Sequence, residues 1–176
     1  MRQTVTLIAL TALLLPTAVL AARERVEVLQ NQLEHPWALA FLPDDRGILI
    51  TLRGGELKLW QRDKGLSSAI PGVPQVWANG QGGLLDVALA PDFAQSRRVW
   101  LSYAEGGDED KAGTAVGYGR LSEDLQRLEN FQVVFRQQPK LSTGNHFGGR
   151  LAFDGRGHLF IGLGENKIGR ASCRER

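Results

Sequence analysis

Val87-Ala88-Leu89-Ala90-Pro91-Asp92 places a short apolar strand directly before a Pro-Asp turn, and a similar arrangement occurs twice more. Leu39-Ala40-Phe41-Leu42-Pro43-Asp44 precedes it and Leu151-Ala152-Phe153-Asp154-Gly155 follows it, and each turn leads into another apolar strand. The spacing of about fifty to sixty-five residues suits a four-stranded blade with loop insertions. This weak repeat favours an all-β propeller, although an antiparallel sandwich would show similar strands and turns.

Between Arg23 and Lys167 the chain has the pattern of short strands and turns, with little helical periodicity. Gly54-Gly55 lies between two apolar alternating runs and is a strong two-residue hairpin signal. The best helical candidate, Ser122 to Asn130, is short and is interpreted as a loop between strands. Strands are predicted at Val26–Val28, Ile48–Leu52, Glu56–Trp60, Arg98–Tyr103, Val116–Leu121 and Gln132–Phe135.

One loop carries a candidate catalytic pair. His146 lies in Asn145-His146-Phe147-Gly148-Gly149-Arg150, where the two glycines allow a sharp backbone turn. The runs 151–153 and 159–161 flank a Gly-rich turn and predict a hairpin that returns Glu165 to the sheet end that holds His146. A histidine oriented by a carboxylate is expected of a general base near neutral pH. The alternatives are a loop histidine that caps a strand and a glutamate that caps the following loop.

The first 22 residues predict a secretory signal peptide. Arg2 gives a positive start, an apolar run extends from Val5 to Leu15, and small residues follow at Ala21 and Ala22. The apolar run is too short for a comfortable membrane span, which makes an uncleaved anchor the weaker interpretation. We therefore expect a periplasmic or secreted protein without a membrane anchor after cleavage.

The last nine residues, Ile168 to Arg176, break the hydrophobic alternation. They resemble the translation of a common short-read sequencing adapter, so we interpret them as an assembly artefact, with an engineered or natural tail as the alternative. Without them the 21 basic and 19 acidic residues become 18 of each, and the net charge of +2 becomes zero. The charge therefore gives no reason to expect nucleic acid as a partner. The single cysteine, Cys173, also disappears, which excludes a disulfide framework and thiolate metal sites.

The acidic loop Glu105-Gly106-Gly107-Asp108-Glu109-Asp110-Lys111-Ala112-Gly113 is the segment most easily mistaken for a metal site. It lacks the regular ligand spacing and the terminal bidentate glutamate of a calcium-binding loop. We interpret it as a solvated insertion between two strands and assign no metal to it.

Three motifs occur in an order that resembles a known family. They are 35–43 (HPWALAFLP), 80–93 (GQGGLLDVALAPDF) and the His146 segment. Together they resemble the soluble glucose/sorbosone dehydrogenase family, most closely its aldose sugar dehydrogenase branch. The resemblance implies a six-bladed β-propeller that uses pyrroloquinoline quinone (PQQ), of which residues 23–167 would form the N-terminal part, roughly two blades and part of a third.

The resemblance also implies roles for individual residues. His146 matches the catalytic base, which takes the proton of the anomeric hydroxyl while hydride passes to PQQ, and the product is a lactone. Glu165 matches an acidic residue that supports the base. Gln81 matches a glutamine that contacts PQQ and the sugar, with an amide that stabilises the turn as the alternative. Asn145 is expected to contact the sugar, and Arg150 to hold the strand end by a buried ion pair. His35 and Trp37 are expected to be structural, and His158 is expected to be an exposed turn residue.

The resemblance stops after the His146 hairpin. The family's arginine and lysine contacts to PQQ and its calcium ligands would lie beyond that point, so we expect the full-length gene product to be the enzyme and this polypeptide to be inactive. An external electron acceptor is also expected. The alternatives are a sorbosone-type dehydrogenase and a non-catalytic propeller that binds a partner.

Overall fold

The computed structural model describes residues 25–142 and 144–165, so the predicted signal peptide and the segment 168–176 lie outside the described residues. The described part forms three antiparallel sheets. The first blade contains β1 (Pro36–Phe41), β2 (Ile48–Leu52), β3 (Glu56–Gln61) and β4 (Gly65–Leu66). The second blade contains β5 (Leu84–Leu89), β6 (Arg98–Gly106), β7 (Ala112–Leu121) and β8 (Leu128–Arg136). The third-blade hairpin contains β9 (Gly148–Phe153) and β10 (Leu159–Leu163).

Both complete blades are meanders whose strands pair in sequence order. The three repeated motifs supply β1, β5 and β9, which are the first strands of their sheets. A short 3-10 helix (Pro43–Asp45) follows β1, and a single helical turn, α1 (Phe93–Ser96), follows β5. The all-β prediction with four-stranded blades is therefore confirmed. None of the helices in residues 25–142 and 144–165 has the length and apolar character needed to span a bilayer.

The hairpin at Gly54-Gly55 has the predicted position. Leu52 pairs with Glu56 across the turn between β2 and β3. Gly55 has a φ of 108°, a conformation that residues with a side chain rarely adopt. The turn chemistry therefore sets the register of the first blade.

The first two blades pack face to face. Leu49 and Leu57 of the first blade and Val99 and Leu101 of the second are fully buried in one cluster. Complete burial of each such side chain contributes about 1.5–3 kcal/mol relative to an exposed position. Alternation along β1 directs Ala38 and Ala40 toward this cluster. The opposite face of β1 carries large apolar side chains that are exposed in the described part: Trp37 at 48%, Leu39 at 56% and Phe41 at 68%.

One predicted strand does not form, and another begins earlier than predicted. Val26–Val28 forms no strand, and both valines are exposed, because no neighbouring strand among the described residues pairs with this segment. β8 begins at Leu128, inside the stretch interpreted as a loop, because Leu128 is buried and donates its N–H to the carbonyl of Pro71. Only residues 122–127 form the connection. Tertiary contact thus extends the strand beyond its local pattern.

The acidic segment 105–113 is only in part the solvated loop that the sequence predicted. β6 runs to Gly106 and β7 starts at Ala112, so the turn is shorter than expected. Glu105 is not a solvated loop residue: its carboxylate accepts from Arg136 Nε at 3.0 Å and from Lys140 Nζ at 2.8 Å. Burial raises the pKa of this carboxyl, but the hydrogen bonds from Lys140 and Arg136 outweigh burial and lower the pKa below its ordinary value. Glu105 therefore joins the second blade to the segment before His146.

Candidate active site

The backbone around His146 is held in an unusual conformation. His146 has a φ of 54°, in the left-handed region, and Gly148 and Gly149 follow with φ of 74° and 95°. The predicted sharp turn is confirmed. A residue with a side chain in this region costs about 1–2 kcal/mol, so the surrounding contacts must hold it there.

Phe147 anchors this turn. Its side chain is buried in a cluster with Leu85, Ala104 and Ala112, and its ring centroid lies 5.9 Å from that of Trp77. With Phe147 directed into the protein, the neighbouring His146 side chain remains 29% exposed. An accessible imidazole on a rigid anchor is suited to contact a bound ligand.

The predicted hairpin brings Glu165 to His146. Phe153 pairs with Leu159, and β10 runs back along β9. Glu165 Oε1 then contacts His146 Nδ1, as predicted. When Nδ1–H is donated to the carboxylate, Nε2 carries the lone pair that a general base needs.

Gln81 reaches the same loop from the segment before β5. Its backbone N–H donates to the carbonyl of Gly144 at 2.9 Å, and its side-chain Oε1 accepts from the backbone N–H of His146 at 2.9 Å. A Cβ on Gly80 would lie 2.4 Å from the Gly144 oxygen, so the close approach requires glycine. This bond is the contact of an amide that stabilises the turn, and it leaves Nε2 as a donor. The contact of Gln81 with PQQ and the sugar remains a prediction.

Three buried polar side chains of the second blade bind the backbone that follows His146. Thr114 Oγ1 donates to the carbonyl of Phe147 at 2.7 Å, and Ser102 Oγ donates to that of Gly149 at 2.5 Å. Asp86 Oδ2 accepts from the N–H of Leu151 at 2.7 Å. The three bonds fall on alternate residues, 147, 149 and 151, so side chains of the second blade hold the backbone at the start of the third-blade hairpin.

These three residues were not among the site residues predicted from the sequence. Asp86, Ser102 and Thr114 each interrupt an apolar strand and are almost fully buried. A buried polar group is costly unless it is hydrogen-bonded. A polar residue at a core position of a predicted strand was therefore the signal that could have revealed them.

The remaining predicted residues are less central. Asn145 is partly buried and directly precedes His146, and its contact with a sugar remains a prediction. Arg150 Nη1 lies 3.6 Å from Asp86 Oδ1, but the arginine side chain is 81% exposed and the aspartate 7%. The prediction that Arg150 forms a buried ion pair is therefore wrong, because the arginine is exposed. Alternation along β9 directs Gly149 and Leu151 inward and residue 150 outward. His158 is an exposed turn residue, as predicted, with Nδ1 2.8 Å from Asp154 Oδ2.

His35 and Trp37 lie at the start of β1. The carbonyl of His35 accepts a hydrogen bond from the N–H of Arg53 at 3.0 Å, which is consistent with a structural role. Trp37 is half exposed on the outer face of β1.

Comparisons with known proteins agree with this architecture. The family model "Glucose / Sorbosone dehydrogenase" matches residues 33–175. This range runs into the segment 168–176, whose origin remains a prediction. The aldose sugar dehydrogenase YliI of Escherichia coli is 74% identical over 145 residues, which are 82% of this chain and 39% of that protein.

Solved structures show the same relationship. The apo-form of the soluble aldose sugar dehydrogenase of Escherichia coli superposes with a TM-score of 0.79 over 81% of this chain and 41% of that one, at 74% identity. The PQQ-bound aldose sugar dehydrogenase of Streptomyces coelicolor gives 0.66 over 82% and 42%, at 27% identity. The chain spans about two fifths of the length of these relatives. On the family match, the relatives and the shared fold, the chain belongs to the glucose/sorbosone dehydrogenase family.

Proposed function

We propose that this chain forms part of an oxidoreductase that converts aldose sugars to lactones with PQQ as the cofactor. The observation that carries the proposal is the His146–Glu165 pair, exposed at one end of the blades and held by Gln81. The relatives named above are aldose sugar dehydrogenases, and one of them was solved with PQQ bound.

The residues present fit part of a PQQ site. Gln81 Nε2 is a donor for a quinone or carboxylate oxygen, and His146 supplies an accessible base. PQQ, when bound, supplies the hydride acceptor. No group of three or more His, Cys, Asp or Glu residues able to hold a metal occurs within 25–142 and 144–165. We place the ligands of the calcium that the resemblance implies in the part of the family fold beyond these residues.

His146 performs the proton transfer. Nε2 would accept the proton of the anomeric hydroxyl while the anomeric C–H bond breaks, its hydrogen passing as hydride to the acceptor that bound PQQ would supply, and the anomeric C–O bond becomes the lactone carbonyl. An alcohol proton is too weakly acidic to leave unaided at neutral pH, so the base must already be in place. Glu165 keeps Nδ1 protonated and stabilises the imidazolium that forms. Asn145, next to the base, is placed to contact the sugar.

The cellular setting follows from the predicted signal peptide. We place the enzyme in the periplasm or outside the cell, with electrons leaving to an external acceptor. The aldose is the substrate, and no nucleic acid is involved.

A hybrid enzyme tests the proposal, since this chain spans about two fifths of its relatives. In the hybrid, residues 25–165 replace the matching segment of the Escherichia coli aldose sugar dehydrogenase. We expect PQQ-dependent reduction of a redox dye when an aldose is added, with the lactone identified as product. The same protein without PQQ is the control. A hybrid that unfolds cooperatively and binds PQQ, yet oxidises neither aldoses nor sorbosone, would reject the proposal in favour of a binding role.

A further inference from the structure

The carbonyl of Phe147 is a junction between three parts of the site. It accepts from the hydroxyl of Thr114 at 2.7 Å and from the N–H of Gly164 at 3.0 Å. Phe147 directly follows His146, and Gly164 directly precedes Glu165. One oxygen atom therefore links the base, its carboxylate partner and the second blade.

Thr114 is itself rigidly placed. It is fully buried in β7, an inner strand of the second blade, where it pairs with Ala104 of β6. Its backbone N–H donates to the side-chain oxygen of Gln137 at 3.1 Å. The β-branched side chain restricts rotation about χ1, so the hydroxyl has a defined direction. This hydroxyl is thus a fixed point against which the loop is positioned.

The loop needs such a fixed point because His146 is held in the left-handed region. Gln81 binds the N–H of His146 on one side, and Thr114 binds the next carbonyl on the other. We call these two hydrogen bonds the His146 clamp. Gln81 is exposed at a loop, whereas Thr114 is buried in the sheet, so Thr114 is the rigid half of the clamp.

We propose that Thr114 is a positioning residue for the general base: its hydroxyl fixes the Phe147 carbonyl and thereby sets His146 against Glu165. The inference rests on the proposed function in that His146 acts as the base. Removal of the Thr114 hydroxyl leaves the Phe147 carbonyl hydrogen-bonded to the N–H of Gly164. The loop then loses its hydrogen bond to Thr114 of the second blade, but the carbonyl is not left unpaired. The expected defect is therefore one of position rather than of an unpaired buried group.

The test compares Thr114→Val with Thr114→Ser in the PQQ-loaded hybrid enzyme. Valine has the shape of threonine without the hydroxyl, and serine restores the hydroxyl. Thr51→Val is the matched control, because Thr51 is equally buried and its Oγ1 donates to the carbonyl of Leu85 at 2.6 Å, a bond that is not one of the two in the clamp. We expect Thr114→Val to lower kcat about ten- to a hundredfold with KM changed less than about threefold. Thr114→Ser should recover kcat to within about threefold of the parent.

A second measurement does not depend on catalysis. Hydrogen exchange of the His146 amide, measured on the cofactor-free hybrid, reports on the clamp directly because this N–H is the donor in one of the two clamp hydrogen bonds. Thr114→Val should raise the exchange rate about tenfold or more, and Thr51→Val should leave it unchanged. Faster exchange in a hybrid that oxidises no sugar would support the clamp while rejecting the proposed function.

Three results would overturn the proposal. The first is a folded Thr114→Val enzyme with parental kcat and parental exchange at His146. The second is an equal loss of kcat in Thr51→Val, which would indicate general loosening of the blade. If neither Thr114→Val nor Thr114→Ala folds while Thr51→Val does, the hydroxyl is required for folding and the positioning role is rejected.

Discussion

The side-chain oxygen of Gln81 accepts a hydrogen bond from the backbone N–H of His146 at 2.9 Å, across 65 residues of sequence. The bond joins the segment that begins the second blade to the loop that begins the third. With its oxygen engaged, Gln81 has its amide nitrogen as a donor for a ligand, and the imidazole of the residue it binds contacts Glu165. The imidazole of His146 and the amide of Gln81 therefore belong to one site.

Replacement of the base gives the most direct test of its role. We predict that His146→Gln in the PQQ-loaded hybrid enzyme lowers kcat about a hundred- to ten-thousand-fold, because general-base catalysis contributes that much to the chemical step. PQQ binding should change little. Steady-state kinetics together with a PQQ titration check both expectations. Parental turnover in the loaded variant would contradict the assigned role.

Gly164 lies where no side chain can be accommodated. A Cβ there would be 1.7 Å from the carbonyl oxygen of His146, so Gly164→Ala must displace either the His146 loop or the end of β10. We predict a loss of kcat of about tenfold or more through a misplaced Glu165, and destabilisation of about 1–3 kcal/mol. Kinetics and urea unfolding measure the two effects.

Gly155, in the turn of the same hairpin, provides the control for that substitution. A Cβ at Gly155 has no atom within 4 Å, so Gly155→Ala should change neither kcat nor stability measurably. If both glycine variants lost activity equally, the cause would be the flexibility of the hairpin rather than the contact with His146.

Glu105 should make the free energy of unfolding depend on pH. Its pKa is lowered in the folded state, because hydrogen bonds from Lys140 and Arg136 outweigh the effect of burial. Such a carboxyl stabilises the fold at pH values above its unfolded pKa, and the contribution is lost as the pH falls through the folded pKa. We predict that Glu105→Gln destabilises the hybrid at neutral pH and that the difference from the parent disappears in acid.

Urea unfolding of the hybrid as a function of pH measures this difference. Glu109→Gln is the control, since Glu109 and its partner Lys111 form a pair with largely exposed side chains. Exposed pairs contribute about 0–1 kcal/mol, so this variant should follow the parent at every pH. A constant difference between Glu105→Gln and the parent from neutral to acid pH would reject the ionic contribution.

The outer face of β1 predicts how the polypeptide behaves on its own. Trp37, Leu39 and Phe41 are exposed in the described part, and exposed apolar patches promote association. We predict that the 176-residue chain expressed alone aggregates and shows no PQQ-dependent sugar oxidation. The double variant Leu39→Lys, Phe41→Lys should aggregate less, as measured by light scattering. Val134→Lys, on the outermost strand of the second blade, should give no comparable improvement.

The sequence by itself determined the strands and the short-range turns. The repeated apolar runs that became β1, β5 and β9, the turn at Gly54-Gly55 and the hairpin that returns Glu165 to His146 all depend on residues close in sequence. Side-chain alternation and the φ preferences of glycine act over a few residues, so the printed order of amino acids is sufficient to predict them.

Only the tertiary structure decided how these pieces hold the site. Thr114, Ser102 and Asp86 bind the backbone after His146 from strands that lie 33 to 65 residues earlier. The packing of the second blade against the third-blade hairpin determines which buried hydroxyl meets which carbonyl. Contacts distant in sequence also extended β8 back to Leu128, whose N–H binds the carbonyl of Pro71, and engaged the oxygen of Gln81 with His146. Hydrogen bonds between blades depend on distances that no local pattern encodes, and they therefore appear only once the sheets are stacked.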